Sequence, residues 1–250
     1  MTNIIIQGIQ GRMGRVLCEL IGQRDDCRVV GGVDRAPAAG LVPIATSLPE
    51  LPVRGDVLID FSCPQATEAA LEFCRTAKLP CVICTTGLDE RQQTLLVQAS
   101  KEVAVFQSAN MSLGINLLMQ LVQKAVQRLG PGYDIEIIEK HHHSKVDAPS
   151  GTALLLAGAV NDVAAQPYEY IYDRHAVRQP RAANELGIHT VRGGTIVGEH
   201  EVLFCGPDEV LTLSHSASSR TVFANGAVNA ALYLAHKGPG LYSMQDLMEG

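Results

Sequence analysis

The chain has 250 residues, 46% of them hydrophobic and 18% charged, with a formal net charge of -6. That length holds one large domain or two modest ones, the composition excludes a disordered or fibrous chain, and the acidic balance argues against a non-specific nucleic-acid binder. No apolar run approaches the roughly 20 residues needed to span a bilayer, the first residues read as a strand and not a signal peptide, and seven cysteines, odd in number and often in apolar segments, suit free thiols in a reducing compartment. A soluble, cytoplasmic protein with no membrane or nucleic-acid partner is expected.

Residues 3–7 form an apolar run leading straight into Gly8-Ile9-Gln10-Gly11-Arg12-Met13-Gly14. Beyond it Met13, Val16, Leu17, Leu20 and Ile21 recur at helical spacing. Residues 28–33 read as a second strand ending at Asp34-Arg35, which completes a βαβ unit. Residues 57–61 predict a buried strand, and Ser62 and Gln65, three apart, predict a capped helix start. Residues 80–84 predict another strand, broken by Thr85-Thr86-Gly87, and a helix over 89–100 leads to a strand at 103–106. Strands alternating with helices at these intervals imply a Rossmann-like parallel sheet covered on both faces.

The pattern changes after Ala109-Asn110-Met111-Ser112. Leu117, Leu118, Leu121, Val122, Ala125, Val126 and Leu129 make a helical stripe that ends at Gly130-Pro131-Gly132. Residues 134–140 alternate as a strand and run into three consecutive histidines. A helix is expected from Thr152, a long polar loop over 166–187, and three strand-like runs over 187–216, two of them joined at Gly193-Gly194. A last helix over 220–234 is too short to be a domain and is expected to return to the first one. The expected division is an α/β dinucleotide-binding domain, 1–112 with 221–250, and an α+β domain with an open mixed sheet, 113–220, with hinges near 110–113 and 217–221.

The glycine turn Gly8-x-x-Gly11-x-x-Gly14 follows a strand and opens an amphipathic helix, where a dinucleotide pyrophosphate would meet backbone amides. Gln10 stands where the strict fingerprint has its second glycine. An acid lies twenty residues past Gly14, at Asp34, placed to accept from an adenosine ribose; Arg35 beside it offers a planar cation to a 2′-phosphate. The bland alternatives are a βα turn that binds nothing and a solvated Asp-Arg pair.

The densest chemistry lies in Glu139-Lys-His-His-His-Ser-Lys-Val-Asp-Ala-Pro-Ser-Gly-Thr-Ala153. A zinc site is disfavoured, because on a strand only His141 and His143 could share a face and no cysteine stands nearby. Proton transfer fits better: histidine titrates near neutrality, lysine donates a proton or holds an anion, and Ser150-Gly151-Thr152 opens an apolar helix whose dipole suits a carboxylate. Asp147 is placed to orient a neighbouring cation or cap the turn. A solvated loop with a Ser150 cap is the alternative.

These motifs occur together and in order with Val197-Gly198-Glu199-His200 and Ser218-Ser219-Arg220, followed by Phe223-Ala224-Asn225-Gly226-Ala227. The chain closely resembles the 4-hydroxy-tetrahydrodipicolinate reductase (dihydrodipicolinate reductase) family over nearly its whole length, the 139–153 motif most specifically. The resemblance implies a homotetrameric two-domain enzyme of the diaminopimelate and lysine pathway that reduces a cyclic unsaturated dicarboxylate with NADH or NADPH. It places Gly8, Ile9, Gln10, Gly11, Arg12, Met13, Gly14, Asp34 and Arg35 on the cofactor, with Cys84, Thr85, Thr86, Ala109, Asn110, Met111 and Ser112 along its nicotinamide half. It makes His141 the catalytic proton donor or acceptor and Lys145 the proton donor. His142, Lys145, Ser150, Gly151 and Thr152 would bind the substrate carboxylates, with Arg220 helping to hold the substrate or link the hinge.

Two positions depart from the family pattern. Cys84 stands where many relatives have glycine, and Ser216 replaces an expected basic residue. Cys81 and Cys84 mimic a redox spacing but lie on a predicted strand, where packing is the simpler role. A semialdehyde dehydrogenase would need a reactive cysteine with a neighbouring histidine, which the spacing does not supply. The alternative reading is a non-catalytic dinucleotide-binding regulator on the same fold, against which the intact His141, Lys145 and Gly151-Thr152 argue.

Overall fold

The computed structural model describes residues 1–37, 40–175 and 177–250. They form two units, Met1–Leu113 with Arg220–Gly250, and Gly114–Ser219.

The first unit contains β1 (Thr2–Gln7), α1 (Arg12–Ile21), β2 (Cys27–Val33), β3 (Ile44–Ala45), β4 (Val57–Asp60), α2 (Pro64–Ala77), β5 (Cys81–Ile83), α3 (Glu90–Ser100) and β6 (Ala104–Gln107). Its sheet runs β12-β6-β5-β4-β1-β2-β3, every pair parallel, with β12 (Gly240–Tyr242) from the far end of the chain at one edge. This is the doubly wound order, whose ligands bind at the carboxyl ends of the strands. Side-chain alternation explains the near-continuous apolar strands. Ile4, Ile6, Ile59, Val82 and Phe106 face one cluster, and Ile5, Leu58, Ile83 and Val105 face the other. Burying each of the larger side chains contributes roughly 1.5–3 kcal/mol. The expected Ser62 cap is replaced: Cys63 precedes α2, Pro64 takes its first position, and the Ser62 hydroxyl turns back to Asp60.

The second unit contains α4 (Leu113–Leu129, whose first residue falls in the first unit), β7 (Asp134–His141), α5 (Gly151–Asn161), β8 (Glu169–Ile171), β9 (Glu185–Arg192), β10 (Gly198–Cys205) and β11 (Val210–Ala217). Its mixed sheet runs β11-β10-β7-β9-β8. Ile135, Ile137, Val202 and Phe204 pack with α4 and α5 on one face. Gly193-Gly194 does join two strands, but they are not neighbours: β9 runs parallel to β7 on one side and β10 antiparallel on the other. The expected loop over 166–187 holds β8, too short at three residues to leave a periodic signal. The Arg181 guanidinium ties this stretch to Glu136 at 3.0 Å and Asp134 at 2.8 Å. In α4 the packed stripe is Ile115, Leu118, Val122 and Val126, while Leu117 and Leu121 lie exposed at 50% and 41%. The apolar sequence stripe is therefore wider than the contact it makes.

After the second unit, α6 (Thr221–Leu234) returns to the first, where Ala224, Ala227, Val228 and Ala231 join the cluster beneath α1, and α7 (Met244–Glu249) closes the chain. A Cβ on Gly226 would lie 1.7 Å from the Met111 carbonyl oxygen. Overpacking typically costs about 1–3 kcal/mol, and the clash is with backbone, so it outweighs the roughly 1 kcal/mol of helix propensity that alanine gains over glycine. Gly226→Ala should therefore lower the urea midpoint, by about 1–2 kcal/mol of stability. An unchanged or raised midpoint would contradict this packing.

Candidate active site

In the first unit the glycine turn bridges β1 and α1. Gly8 has φ +79°, and a Cβ there would lie 2.4 Å from the Phe61 carbonyl oxygen; one on Gly14 would lie 2.3 Å from that of Gly8. Both positions therefore require glycine. Gly11 precedes Arg12, the first residue of α1, while Ile9 is buried in the core and Met13 packs against it. Of the turn residues, these two side chains serve packing. The Asp34 carboxylate accepts from the Gln10 amide and from the Arg35 amide, each at 2.8 Å. A carboxylate has about four acceptor sites, so capacity remains for a ribose hydroxyl. Gly8, Gln10, Gly11, Asp34 and Arg35 line a cavity of about 880 Å³.

Leu48, Pro49, Ala66, Ala69 and Phe73 also line this cavity, apolar groups suited to a flat base. Sequence reading did not single these out, because they come from α2 and the segment after β3 and carry no motif. Residues 84–86 and 109–112 are not among its lining. Cys84 and Thr85 are buried at the end of β5, where burial and the nearby Asp60 push the Cys84 thiol well up and keep it protonated. Thr86 is exposed. Ala109 is exposed, Asn110, Met111 and Ser112 are buried, and the Asn110 side-chain oxygen accepts from the Ser112 amide at 2.9 Å.

In the second unit β7 delivers Glu139 and His141 to the same face, two residues apart. The Glu139 side chain is 0% exposed, and His141 Nδ1 lies 2.5 Å from its Oε2. Arg192, from the end of β9, donates to both Glu139 oxygens at 2.8 Å, the Ser150 amide donates at 3.0 Å and the Thr190 hydroxyl at 3.1 Å. Burial alone would raise this carboxyl; Arg192, His141 and the Ser150 amide reverse that and hold it at about 2. Glu139 is therefore ionised, and an ionised carboxylate only accepts. Neutral His141 must carry its proton on Nδ1, leaving Nε2 as the open nitrogen. Burial pushes the His141 imidazole below its usual range, against the upward pull of Glu139.

His200 on β10 stacks edge-on against His141, ring centres 5.1 Å apart, and its Nε2 lies 3.0 Å from the Ser150 hydroxyl. Burial and the neighbouring His141 depress it to about 4. The Ser150 hydroxyl also accepts from the Ala153 amide at 3.1 Å, so buried Ser150 is wholly engaged within the protein while Gly151, next in α5, is exposed. Strand β7 ends at His141, so the alternation argued for 141–143 stops there. His142 contacts the Ser144 hydroxyl at 2.8 Å and His143 the Gly194 carbonyl at 3.0 Å, both in an exposed turn. Lys145 pairs with Asp147 at 2.9 Å. Thr152 is half-buried in the first turn of α5, and Arg220 is exposed at the start of α6.

A family model described as dihydrodipicolinate reductase, N-terminus, matches residues 2–111, and one described as dihydrodipicolinate reductase, C-terminus, matches residues 114–248. The chain belongs to the dihydrodipicolinate reductase family. It is 49% identical over 249 residues to a 4-hydroxy-tetrahydrodipicolinate reductase of Caldanaerobacter subterraneus subsp. tengcongensis, covering 100% of this chain and 99% of the relative. It is 43% identical over 250 residues to one of Clostridium novyi, covering 100% and 99%. The fold matches a solved dipicolinate-bound dihydrodipicolinate reductase from Paenisporosarcina sp. TG-14, with TM-score 0.81 and 24% identity over 97% of each chain. The reductase is an NAD(P)H-dependent oxidoreductase of diaminopimelate and lysine biosynthesis, converting 4-hydroxy-tetrahydrodipicolinate, via dihydrodipicolinate, to tetrahydrodipicolinate.

The sequence alone assigns no role to Glu139, Arg192 or His200. Glu139 and His200 lie inside motifs quoted for the resemblance, whereas Arg192 lies in none. Because His200 is depressed to about 4, the unfolded chain binds its proton between roughly pH 6.5 and 4 and the folded chain does not. Its contribution to stability is complete above about pH 6.5 and is lost as pH falls toward 4, on the order of 3 kcal/mol. Urea unfolding across this range should show that loss, and His200→Gln should reduce it, leaving the part due to His141 and His215, which burial also depresses. A pH-independent midpoint in the parent chain would contradict a buried, neutral His200.

Proposed function

We propose that the first unit holds NADH or NADPH on the glycine turn with Asp34 and Arg35, and that the second holds the dicarboxylate on His142, Lys145, Ser150, Gly151 and Thr152, with Arg220 assisting. Supporting the first assignment is the 880 Å³ cavity that joins the glycine turn, Asp34, Arg35 and an apolar wall. For Ser150 the support is indirect: its side chain orders the start of α5, and Gly151 and Thr152 present that helix end to an anion. The dipicolinate in the Paenisporosarcina enzyme is a ligand with two carboxylates, which fits this donor set.

Loss of water from the substrate leaves a conjugated ring. When bound, the reduced nicotinamide would supply hydride to a ring carbon; electrons would move toward the ring nitrogen, and the azaenolate so formed would need one proton on carbon. The observation that carries the proton assignment is the ionised Glu139 fixed on His141 Nδ1, which leaves Nε2 as a lone-pair acceptor at neutral pH. The Lys145 ammonium, oriented by Asp147, is then the donor, and His141 Nε2 accepts a hydrogen bond or takes the proton in passing. Thr85, 109–112 and the other residues named for the nicotinamide half are assigned to it on the family pattern.

A homotetramer in the cytoplasm completes the reading. Helices cover one face of the second unit's sheet, while its other face carries half-buried Ile138 and Leu203 beside Lys140 and Glu201, 2.7 Å apart. That face is available to a second copy. The seven cysteines are all free thiols, as a reducing compartment would keep them, and among the described residues no helix is long and apolar enough to cross a membrane.

Lys145→Ala should lower turnover by about 10²–10⁴ with NADH binding little changed, read from NADH oxidation with the product of dihydrodipicolinate synthase as substrate. Unchanged turnover would remove Lys145 from the mechanism. Cofactor binding without any substrate-dependent oxidation by the parent chain would favour the non-catalytic alternative.

A further inference from the structure

Asp60, at the carboxyl end of β4, is 0% exposed, yet the reaction described above does not use it. Among the described residues its side-chain partners are three hydroxyls and no cation. Thr67, in the first turn of α2, donates to Oδ2 at 2.5 Å, Thr85 donates to the same oxygen at 3.0 Å, and Ser62 donates to Oδ1. A carboxylate buried without a cation is expensive: burial pushes the Asp60 carboxyl up, against the three hydroxyls that pull it down. Stability alone therefore gives little reason for an aspartate here.

What the carboxylate does is connect. The Ser62 amide donates to Thr85 Oγ1 at 3.1 Å, and Ser62 Oγ accepts from the Gln7 side chain at 3.3 Å. Gln7 is the last residue of β1, directly before Gly8, and its amide also donates to the Ala66 carbonyl at 2.9 Å. The main chain repeats the pattern: Phe61 N donates to Gln7 O at 3.1 Å, and Cys84 N to Asp60 O at 2.9 Å. One buried carboxylate thus joins the ends of β1, β4 and β5, the three adjacent strands at the switch point of the sheet where nucleotides bind. Gln7, Gly8, Ser62 and Ala66 line the cavity, whereas Asp60 and Thr67 are fully buried and can act only through them.

We propose that Asp60 is a positioning residue for the cofactor, fixing the glycine turn, the loop after β4 and the Thr85 loop in the register that binds NADH and NADPH. The idea rests on the cofactor assignment but concerns different residues. None of the Asp60 side-chain hydrogen bonds reaches Asp34 or Arg35, so the same effect is expected for both cofactors.

Thr67 offers a probe, since valine keeps its shape without the hydroxyl, which also lies 3.2 Å from the Cys63 carbonyl oxygen, and serine keeps the hydroxyl. Cofactor affinity, read from nicotinamide fluorescence on the full chain, should weaken about tenfold in Thr67→Val and in Asp60→Asn. Thr67→Ser should stay within about twofold of the parent. The Michaelis constant for the dicarboxylate should change little in all three. Thr67→Val and Thr67→Ser together carry the test even if Asp60→Asn does not fold. Equal affinities in those two variants, or a loss that tracks Tm in both, would show a network that only stabilises the fold and would overturn the proposal. Failure of the parent chain to bind either cofactor would overturn the cofactor assignment and this proposal with it.

Discussion

The second unit depends on one buried charge. Glu139 sits on the central strand of its sheet with five hydrogen bonds to its two oxygens, from Arg192, His141, Ser150 and Thr190. Removing a partner from such a site leaves an uncompensated buried charge, which typically costs about 3–5 kcal/mol. The arrangement therefore does more than satisfy a carboxylate. It sets which nitrogen of His141 carries a proton, and its bond to the Ser150 amide fixes where α5 begins. Arg192 also donates to the Asp147 carbonyl at 2.6 Å, which ties the Lys145–Asp147 pair to the same centre. His141, the Lys145–Asp147 pair and the start of α5 thus share one anchor.

The first unit solves a different problem with the same economy of groups. Its ligand is large and approaches backbone, so the demand is for space and fixed loops, not titration. Glycine supplies the space at Gly8 and Gly14, where any Cβ would strike a carbonyl oxygen. Asp34 is held by the Gln10 and Arg35 amides, so little freedom remains to its side chain.

Much of this was legible in the chain. The apolar runs at 3–7, 57–61 and 80–84 read as buried strands because their neighbours cover both faces of the sheet. The glycine turn between β1 and α1 was legible as a turn because its physical demand falls on single residues. What could not be read is what long-range pairing decides. β8 and β12, three residues each, exist only because an edge strand was there to accept them. Ser62 had the spacing of a cap, but the buried Asp60 competed for its hydroxyl and won. Arg192 lies more than fifty positions from Glu139, so no local pattern pairs them. The histidine run showed the same limit: alternation treated 141–143 as one strand, whereas the chain leaves the sheet after His141.

The central claim is that ionised Glu139 dictates the tautomer of His141. Nitrogen-15 NMR of the imidazole at neutral pH tests it directly, comparing the parent chain with Glu139→Gln. The account predicts a protonated Nδ1 and a bare Nε2 in the parent, with that preference lost in the variant. A proton on Nε2 in the parent, or the same tautomer in both proteins, would contradict it.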